Sequence, residues 1–216
     1  MGGRVSSQFL ASLSDSQVIV LGAGVTGAPT VDFLKSRGVS VQVIDEKNHD
    51  GGVLNSLSSL KLSDFAFAVV SPGWQREHPF VQAINEADIP IISEVDLAWR
   101  VKCEISPDQR WLALTGTNGK TTTVQMAEAM LRESGFDATA CGNVGFTAIE
   151  AVTKTSSDIL VLELSSFQLE WSHEAEFETV AILNIAEDHI DWHKSFENYA
   201  QAKFKITDRA ATVVLN

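Results

Sequence analysis

At 216 residues the chain has room for one large or two modest domains, each with its own core. A hydrophobic content of 44% beside 20% charged residues excludes a disordered chain. The net charge of −12 disfavours nonspecific binding to nucleic acid or an anionic membrane, no apolar stretch approaches a membrane span, and two cysteines, Cys103 and Cys141, are too few for a disulfide scaffold and fit a reducing cytoplasm.

Read from the N-terminus, Met1-Gly2-Gly3-Arg4-Val5-Ser6 satisfies the loose N-myristoylation pattern, which one glycine and one serine meet by chance. Gln17 to Leu21 reads as a strand and Val25 to Ser36 as a helix that Gly38 helps to end. Between them lies Gly22-Ala23-Gly24-Val25-Thr26-Gly27, a G-x-G-x-x-G turn. Asp45 follows 18 residues after Gly27, at the end of a second strand, Ser40 to Ile44. That spacing marks a site for a nucleotide diphosphate, with the acid placed for a ribose, and leaves NAD and other such nucleotides nearly indistinguishable. Asn48 to Ser59 reads as a loop, and Ala66 to Val70 as a third strand closing on Ser71-Pro72-Gly73. That tripeptide reads most simply as a turn, although it falls at the sheet edge where such folds bind ligands. Pro79 to Ala87 reads as a helix and Ile89 to Ile92 as a short strand. The polar stretch Cys103 to Gln109, with Pro107, places a domain boundary and gives domains 1–107 and 108–216.

A second alternating series follows, with strands near Trp111 to Leu114, Ala138, Ile159 to Leu164 and Val180 to Leu183, so parallel sheets covered by helices are expected twice over. The turn Thr115-Gly116-Thr117-Asn118-Gly119-Lys120-Thr121-Thr122 joins its first strand to a helix whose apolar side is Val124, Ala127, Met130 and Leu131. Such a turn is a phosphate cradle. Glycines let the backbone approach, helix N–H groups point at the oxygens, Lys120 brings a mobile charge to the terminal phosphates, and the Thr121 hydroxyl can ligate magnesium. It is a variant of G-x-x-x-x-G-K-[ST], because Leu114 holds the first glycine position and Gly116 takes the early turn. Glu163 sits near the C-terminal end of an otherwise apolar strand, where a carboxylate either frays into solvent or is costly unless neutralised, so magnesium is its natural partner.

After the last strand, Glu187-Asp188-His189 and Asp191 to His193 concentrate acids and imidazoles, as a second cation site would; taken alone the cluster also fits a zinc hydrolase site, against which no matching histidine cluster occurs elsewhere. His189 is the expected ligand, with Asp191 and His193 stabilising the loop or capping the next helix. His49, His78 and His173 are isolated and read as surface residues. From Phe196 to Ala210 a helical period puts Phe196, Tyr199, Ala200, Thr207 and Ala210 on one face. Lys203 lands in the middle of that face and Lys205 points outward. A lysine so placed either snorkels or is used.

These segments together resemble the Mur ligases, ATP-dependent amide-forming enzymes of peptidoglycan precursor synthesis, over essentially the whole chain. The loop through Lys120 is similar across that superfamily. Glu163-Leu164-Ser165-Ser166-Phe167-Gln168-Leu169 is similar to the D-glutamate-adding branch, and Gly142-Asn143-Val144-Gly145 and Tyr199-Ala200-Gln201-Ala202-Lys203 fit it. The resemblance implies an α/β fold with an N-terminal Rossmann-like parallel-sheet domain and a P-loop-type central domain. It implies ATP held by Gly116, Thr117, Asn118, Gly119, Lys120, Thr121 and Thr122. UDP-N-acetylmuramoyl-L-alanine would contact Val25, Thr26, Asp45, Ser71, Pro72, Gly73, Asn143 and His189. One magnesium would sit on Thr121 and Glu163, and a second on His189 and a carbamylated Lys203. Lys120, Asn143, His189 and Lys203 would carry the catalysis, with D-glutamate as the incoming amine. Family members have a third domain for that amino acid. The strand-like run Thr212 to Leu215 beside the last residue suggests that the central domain is incomplete here. On this reading the chain is a cytoplasmic monomer that binds nucleotide-sugar without ligating. The alternatives are a non-catalytic nucleotide-binding fragment and an NAD-dependent oxidoreductase domain.

Overall fold

The computed structural model of the chain describes residues 8–47 and 52–216, and within them strands and helices alternate almost throughout. The described residues up to 105 and those from 106 to 216 form two compact units, each with its own sheet. The candidate myristoylation segment, His49 and the start of the Asn48 to Ser59 loop lie outside the described residues.

In the first unit the strands are β1 (Gln17–Leu21), β2 (Ser40–Ile44), β3 (Phe67–Val70) and β4 (Ile91–Ser93), in the parallel order β2-β1-β3-β4. The order follows from composition. Val18, Ile19, Val20 and Leu21 are all at most 1% exposed, so β1 must lie inside the sheet with both faces covered. Each such side chain contributes about 2 kcal/mol of burial. Helices α1 (Phe9–Leu13), α2 (Gly27–Ser36), α3 (Pro79–Glu86) and α4 (Glu94–Ile105) complete the unit. The turns after β1, β2 and β3 all open at the C-terminal edge of this sheet, where its glycine turn, Asp45 and Ser71 therefore meet.

The second unit has β5 (Arg110–Thr115), β6 (Ala138–Gly142), β7 (Ile159–Glu163), β8 (Phe177–Ile182) and β9 (Ala210–Leu215), again all parallel, in the order β6-β7-β5-β8-β9. Its helices are α5 (Lys120–Glu133), α6 (Ala148–Lys154), α7 (Ser166–Trp171), α8 (Ile190–His193) and α9 (Phe196–Phe204). Leu114 pairs with Glu163, which in turn pairs with Gly142. This register sets the loop after β5, the carboxylate ending β7 and the turn after β6 side by side.

Several local expectations are corrected. Helix α2 begins at Gly27 and not at Val25, since the glycine turn uses Val25 and Thr26. The helix through Lys203 ends at Phe204; a 3-10 turn over Lys205–Arg209 hands the chain to β9, so Ala210 is a strand residue. Phe196 is partly exposed, while Tyr199, Ala202, Lys203 and Ile206 form the buried side. Lys205 is half-buried and paired with Glu170, not a free surface lysine. Met130 stands outside the core, 68% exposed, although Val124, Ala127 and Leu131 pack as expected. His78 is half-buried and caps α3, accepting the Phe80 N–H at 3.2 Å, so it is not an isolated surface residue.

Candidate functional site

The first unit holds a cavity of about 410 Å³ at the C-terminal edge of its sheet. Gly22, Gly24, Asp45, Ser71 and Gly73 line it. Two glycines are mandatory there. A Cβ on Gly27 would lie 1.8 Å from the Gly22 carbonyl oxygen, and Gly22 has φ +98° with Ser71 Oγ 2.6 Å from where its Cβ would stand. Asp45 is oriented by backbone donors: the N–H of Ala23 reaches Oδ2 and the N–H of Lys47 reaches Oδ1, both at 2.8 Å. Trp74 and His78, which sequence did not single out, form an aromatic wall with ring centroids 4.4 Å apart, and Glu46 approaches His78 Nε2 at 3.3 Å. Val25, Thr26 and Pro72 are not part of this wall among the described residues, and Val25 is 86% exposed at the tip of the turn.

In the second unit the loop between β5 and α5 bends over residues 117–119 and ends at Gly119, whose φ of +80° makes it the left-handed cap of α5. A Cβ on Gly116 would press on Leu183 Cβ at 3.1 Å, so a glycine suits this position, while Leu114 is a buried strand residue. Lys120 Nζ folds back on the loop and donates to the Gly116 and Thr117 carbonyls, each at 2.9 Å. The first intrahelical bond runs from Thr123 N–H to Gly119 O, so the preceding N–H groups of Lys120, Thr121 and Thr122 form the open end of the helix.

Glu163 lies at that opening and is 2% exposed. The Thr121 hydroxyl donates to its Oε2 at 2.8 Å and the Asn143 amide to its Oε1 at 3.0 Å. Gly142 makes this possible: with φ +99°, it passes so close that a Cβ would stand 2.4 Å from the Glu163 carbonyl oxygen. Among the described residues no cationic side chain pairs with Glu163. A buried carboxylate with only neutral donors is suited to a cation.

Lys203, 1% exposed, is the largest buried anomaly. Its Nζ donates to Gly116 O at 2.8 Å and Thr115 Oγ1 at 3.3 Å, and stands 4.7 Å from the centre of the Tyr199 ring. Burial first, then the nearby Lys120 ammonium, bring its pKa down from 10.5 to about 8, against a weaker upward pull from Asp188. Tyr199 is buried too; its hydroxyl lies 2.9 Å from that of Thr117, and burial raises its pKa.

His189 adopts a left-handed backbone, φ 51°, at the start of α8. It is exposed, with its ring 4.7 Å from that of Phe167 and Nε2 3.4 Å from Asp188 Oδ2. His193 is 5% exposed, stacks parallel on Phe167, and shares a 2.9 Å hydrogen bond with Ser166, so it holds the loop. Burial pulls its pKa below the ordinary imidazole value. Asp191 is exposed, and Ser195 caps α9. The structure thus brings Lys120, Thr121, Asn143, Glu163 and Lys203 to one sheet edge. It shows no cluster of three or more His, Cys, Asp or Glu side chains suited to a metal ion among the described residues. Asn184, two residues past β8, has no motif of its own to mark it, and the only signal in the sequence is that it follows a buried strand at that edge; its carboxamide contacts the loop directly.

A family model described as the Mur ligase middle domain matches residues 114–216, and one described as Mur ligase MurD-like, N-terminal domain matches residues 16–93. The two sheets and their glycine turns are therefore the first two domains of a known architecture, and the chain belongs to the Mur ligase family. Among curated proteins it is 40% identical to the UDP-N-acetylmuramoylalanine–D-glutamate ligase of Thermobifida fusca, over 94% of this chain and 47% of that protein. It is 37% identical to the enzyme of that name from Bifidobacterium adolescentis, over 90% of this chain and 41% of that protein. The chain thus spans about half the length of the curated relatives it matches. Among solved structures, UDP-N-acetylmuramate:L-alanyl-gamma-D-glutamyl-meso-diaminopimelate ligase from Neisseria meningitidis shares the fold, with TM-score 0.56 and 19% identity over 93% of this chain and 71% of that one. UDP-N-acetylmuramate-alanine ligase from Thermotoga maritima does so with TM-score 0.51 and 18% identity over 93% of this chain and 48% of that one.

Proposed function

We propose that this chain binds UDP-N-acetylmuramoyl-L-alanine through its first unit and ATP through its second. It forms the first two domains of an enzyme that joins D-glutamate to that substrate through an acyl phosphate. The observation that carries the reading is the grouping of Lys120, Thr121, Asn143 and Glu163 beside the open N-terminus of α5. There, helix N–H groups and Lys120 would hold the ATP phosphates. Glu163 and Thr121 fit a magnesium ion, since Glu163 is buried without a cationic partner while the Thr121 hydroxyl, donating its proton to Glu163, leaves lone pairs free. Such an ion would offset the repulsion between the triphosphate and an attacking carboxylate. Asn143 and His189 are proposed to contact the substrate, and its UDP portion to lie in the cavity of the first unit, with Val25 and Thr26 reached at the turn's tip.

Lys203 supports a further part of the reading. With a pKa of about 8, roughly one molecule in ten carries the free amine at pH 7. That nitrogen can attack the carbon of carbon dioxide, form an N–C bond and release a proton to solvent, leaving a carbamate anion in place of a buried cation. As the unmodified ammonium, Lys203 is a donor to Gly116 and cannot ligate a metal. The second magnesium site with His189 therefore depends on the modification.

Titration calorimetry with UDP, UDP-N-acetylmuramoyl-L-alanine, NAD and magnesium ATP tests the assignment. Binding of the uridine compounds and of ATP is expected. Tight NAD binding with no response to UDP would replace the ligase reading with the oxidoreductase one. The purified chain is expected to show no D-glutamate-dependent phosphate release, since positioning the amine contributes several kcal/mol to such a reaction and no part of either unit is assigned to that task.

A further inference from the structure

We infer that Asn184 is a positioning residue that holds the first half of the nucleotide loop in its phosphate-accepting shape, which removes the Thr117 and Asn118 N–H groups from the set that binds phosphate. The inference rests on the reading that the loop takes the phosphates of ATP. The side-chain Oδ1 of Asn184 accepts from Thr117 N–H at 3.1 Å and from Asn118 N–H at 2.9 Å, while its Nδ2 donates to Asn118 O at 3.0 Å. Thr117 N–H also reaches the Asn184 backbone carbonyl at 3.1 Å. One carboxamide therefore satisfies both backbone polar groups of Asn118, as a neighbouring strand would.

A second anchor acts on the same half of the loop. The Thr117 hydroxyl accepts from Ala186 N–H at 3.0 Å and lies 2.9 Å from the buried Tyr199 hydroxyl. The loop is thus divided by chemistry. Gly116 to Asn118 face protein groups, whereas the N–H groups before the first α5 bond, on Lys120, Thr121 and Thr122, face the opening. A glycine-bearing loop has many accessible backbone states, and fixing one of them before the ligand arrives removes an ordering cost from binding. Only a carboxamide does this here, because the site needs an acceptor for two N–H groups and a donor for one carbonyl on the same planar group.

Amide hydrogen exchange and ATP titration of the chain test the inference, with Asn184→Ala and Asn184→Asp as variants. In the unsubstituted chain without nucleotide, the Asn118 amide should exchange at least about tenfold more slowly than in Asn184→Ala. Magnesium ATP should then add protection at Lys120 to Thr122 and little at Asn118. ATP affinity should fall about tenfold in Asn184→Ala. It should fall about a hundredfold in Asn184→Asp, which sets a carboxylate oxygen against Asn118 O and a charge beside the phosphates. Melting temperatures near that of the unsubstituted chain exclude loss of fold as the cause. Should either variant not fold, the exchange pattern of the unsubstituted chain still decides. An Asn118 amide that exchanges freely until ATP is added, or variants that bind ATP like the unsubstituted chain, would overturn the inference while leaving the ATP reading intact. Absence of ATP binding by the unsubstituted chain would overturn that reading and the inference with it.

Discussion

Lys203→Met should change how the stability of this chain responds to pH, and the structure gives both sign and size. The lysine is 1% exposed, and its pKa falls from 10.5 to about 8 on folding. Between those two values the unfolded chain keeps a proton that the folded chain has released. Unfolding there takes up protons, so stability rises with pH across that window. Below pH 8 both states are charged and the cost of burying the ammonium is borne in full. One pKa unit corresponds to 1.36 kcal/mol, so from pH 7 to pH 10 the folded state should gain about 2.5 kcal/mol from this residue alone. Urea unfolding in carbon-dioxide-free buffer at both pH values, for the unsubstituted chain and Lys203→Met, isolates the contribution because other groups cancel in the difference. Adding bicarbonate should stabilise only the unsubstituted chain, if the freed amine is carbamylated. A pH response identical in the two chains, or one in which the unsubstituted chain loses stability relative to the variant as pH rises, would refute the burial argument.

Gly27→Ala should prevent stable folding or lower stability by more than about 3 kcal/mol, since the new methyl would overlap the Gly22 carbonyl at 1.8 Å, whereas Gly24→Ala meets nothing within 4 Å and should melt nearly unchanged. Glu163→Gln should remove the magnesium dependence of ATP binding while leaving thermal stability equal or higher, because a buried charge is lost and both hydrogen-bonding neighbours are kept; calorimetry with and without magnesium reads this directly. His193, held neutral by burial, should make the chain lose stability as pH falls from about 6.5 towards 5, where the unfolded imidazole takes up a proton more readily than the folded one; His193→Gln should flatten that part of the profile in urea melts.

Strands and turns were legible wherever one physical requirement dominated. Val18 to Leu21 and Ile159 to Leu162 are apolar runs that only a doubly covered strand can bury, and the glycines beside them mark turns that no side chain would fit. Glu163 and Lys203 announced themselves because each is a charge on an apolar background. Helix α4 has no amphipathic signature to read, since Glu94, Asp96 and Lys102 are buried on the side that hydropathy would assign to water. The end of α9 is not legible, because the helical period continues through Thr207 while the approach to β9 imposes a 3-10 turn. The role of Asn184 could not be read from its neighbours, as its partner Asn118 lies 66 residues away. Trp74 and His78 looked ordinary in the sequence and became cavity walls only through the turn that brings them to the edge beside Asp45.

That 66-residue span has a consequence for how the protein is made. A parallel sheet cannot be assembled from adjacent segments, and here β5 waits for β7 and then β8 to be synthesised before both of its edges are paired. The loop that follows β5 leaves the ribosome early, yet the carboxamide that shapes it emerges only with Asn184. Non-local pairings of this kind slow folding, because chain ends must be closed into loops before their contacts contribute. The nascent second unit should therefore have no competent nucleotide loop through most of its synthesis, and should acquire one in a single late step.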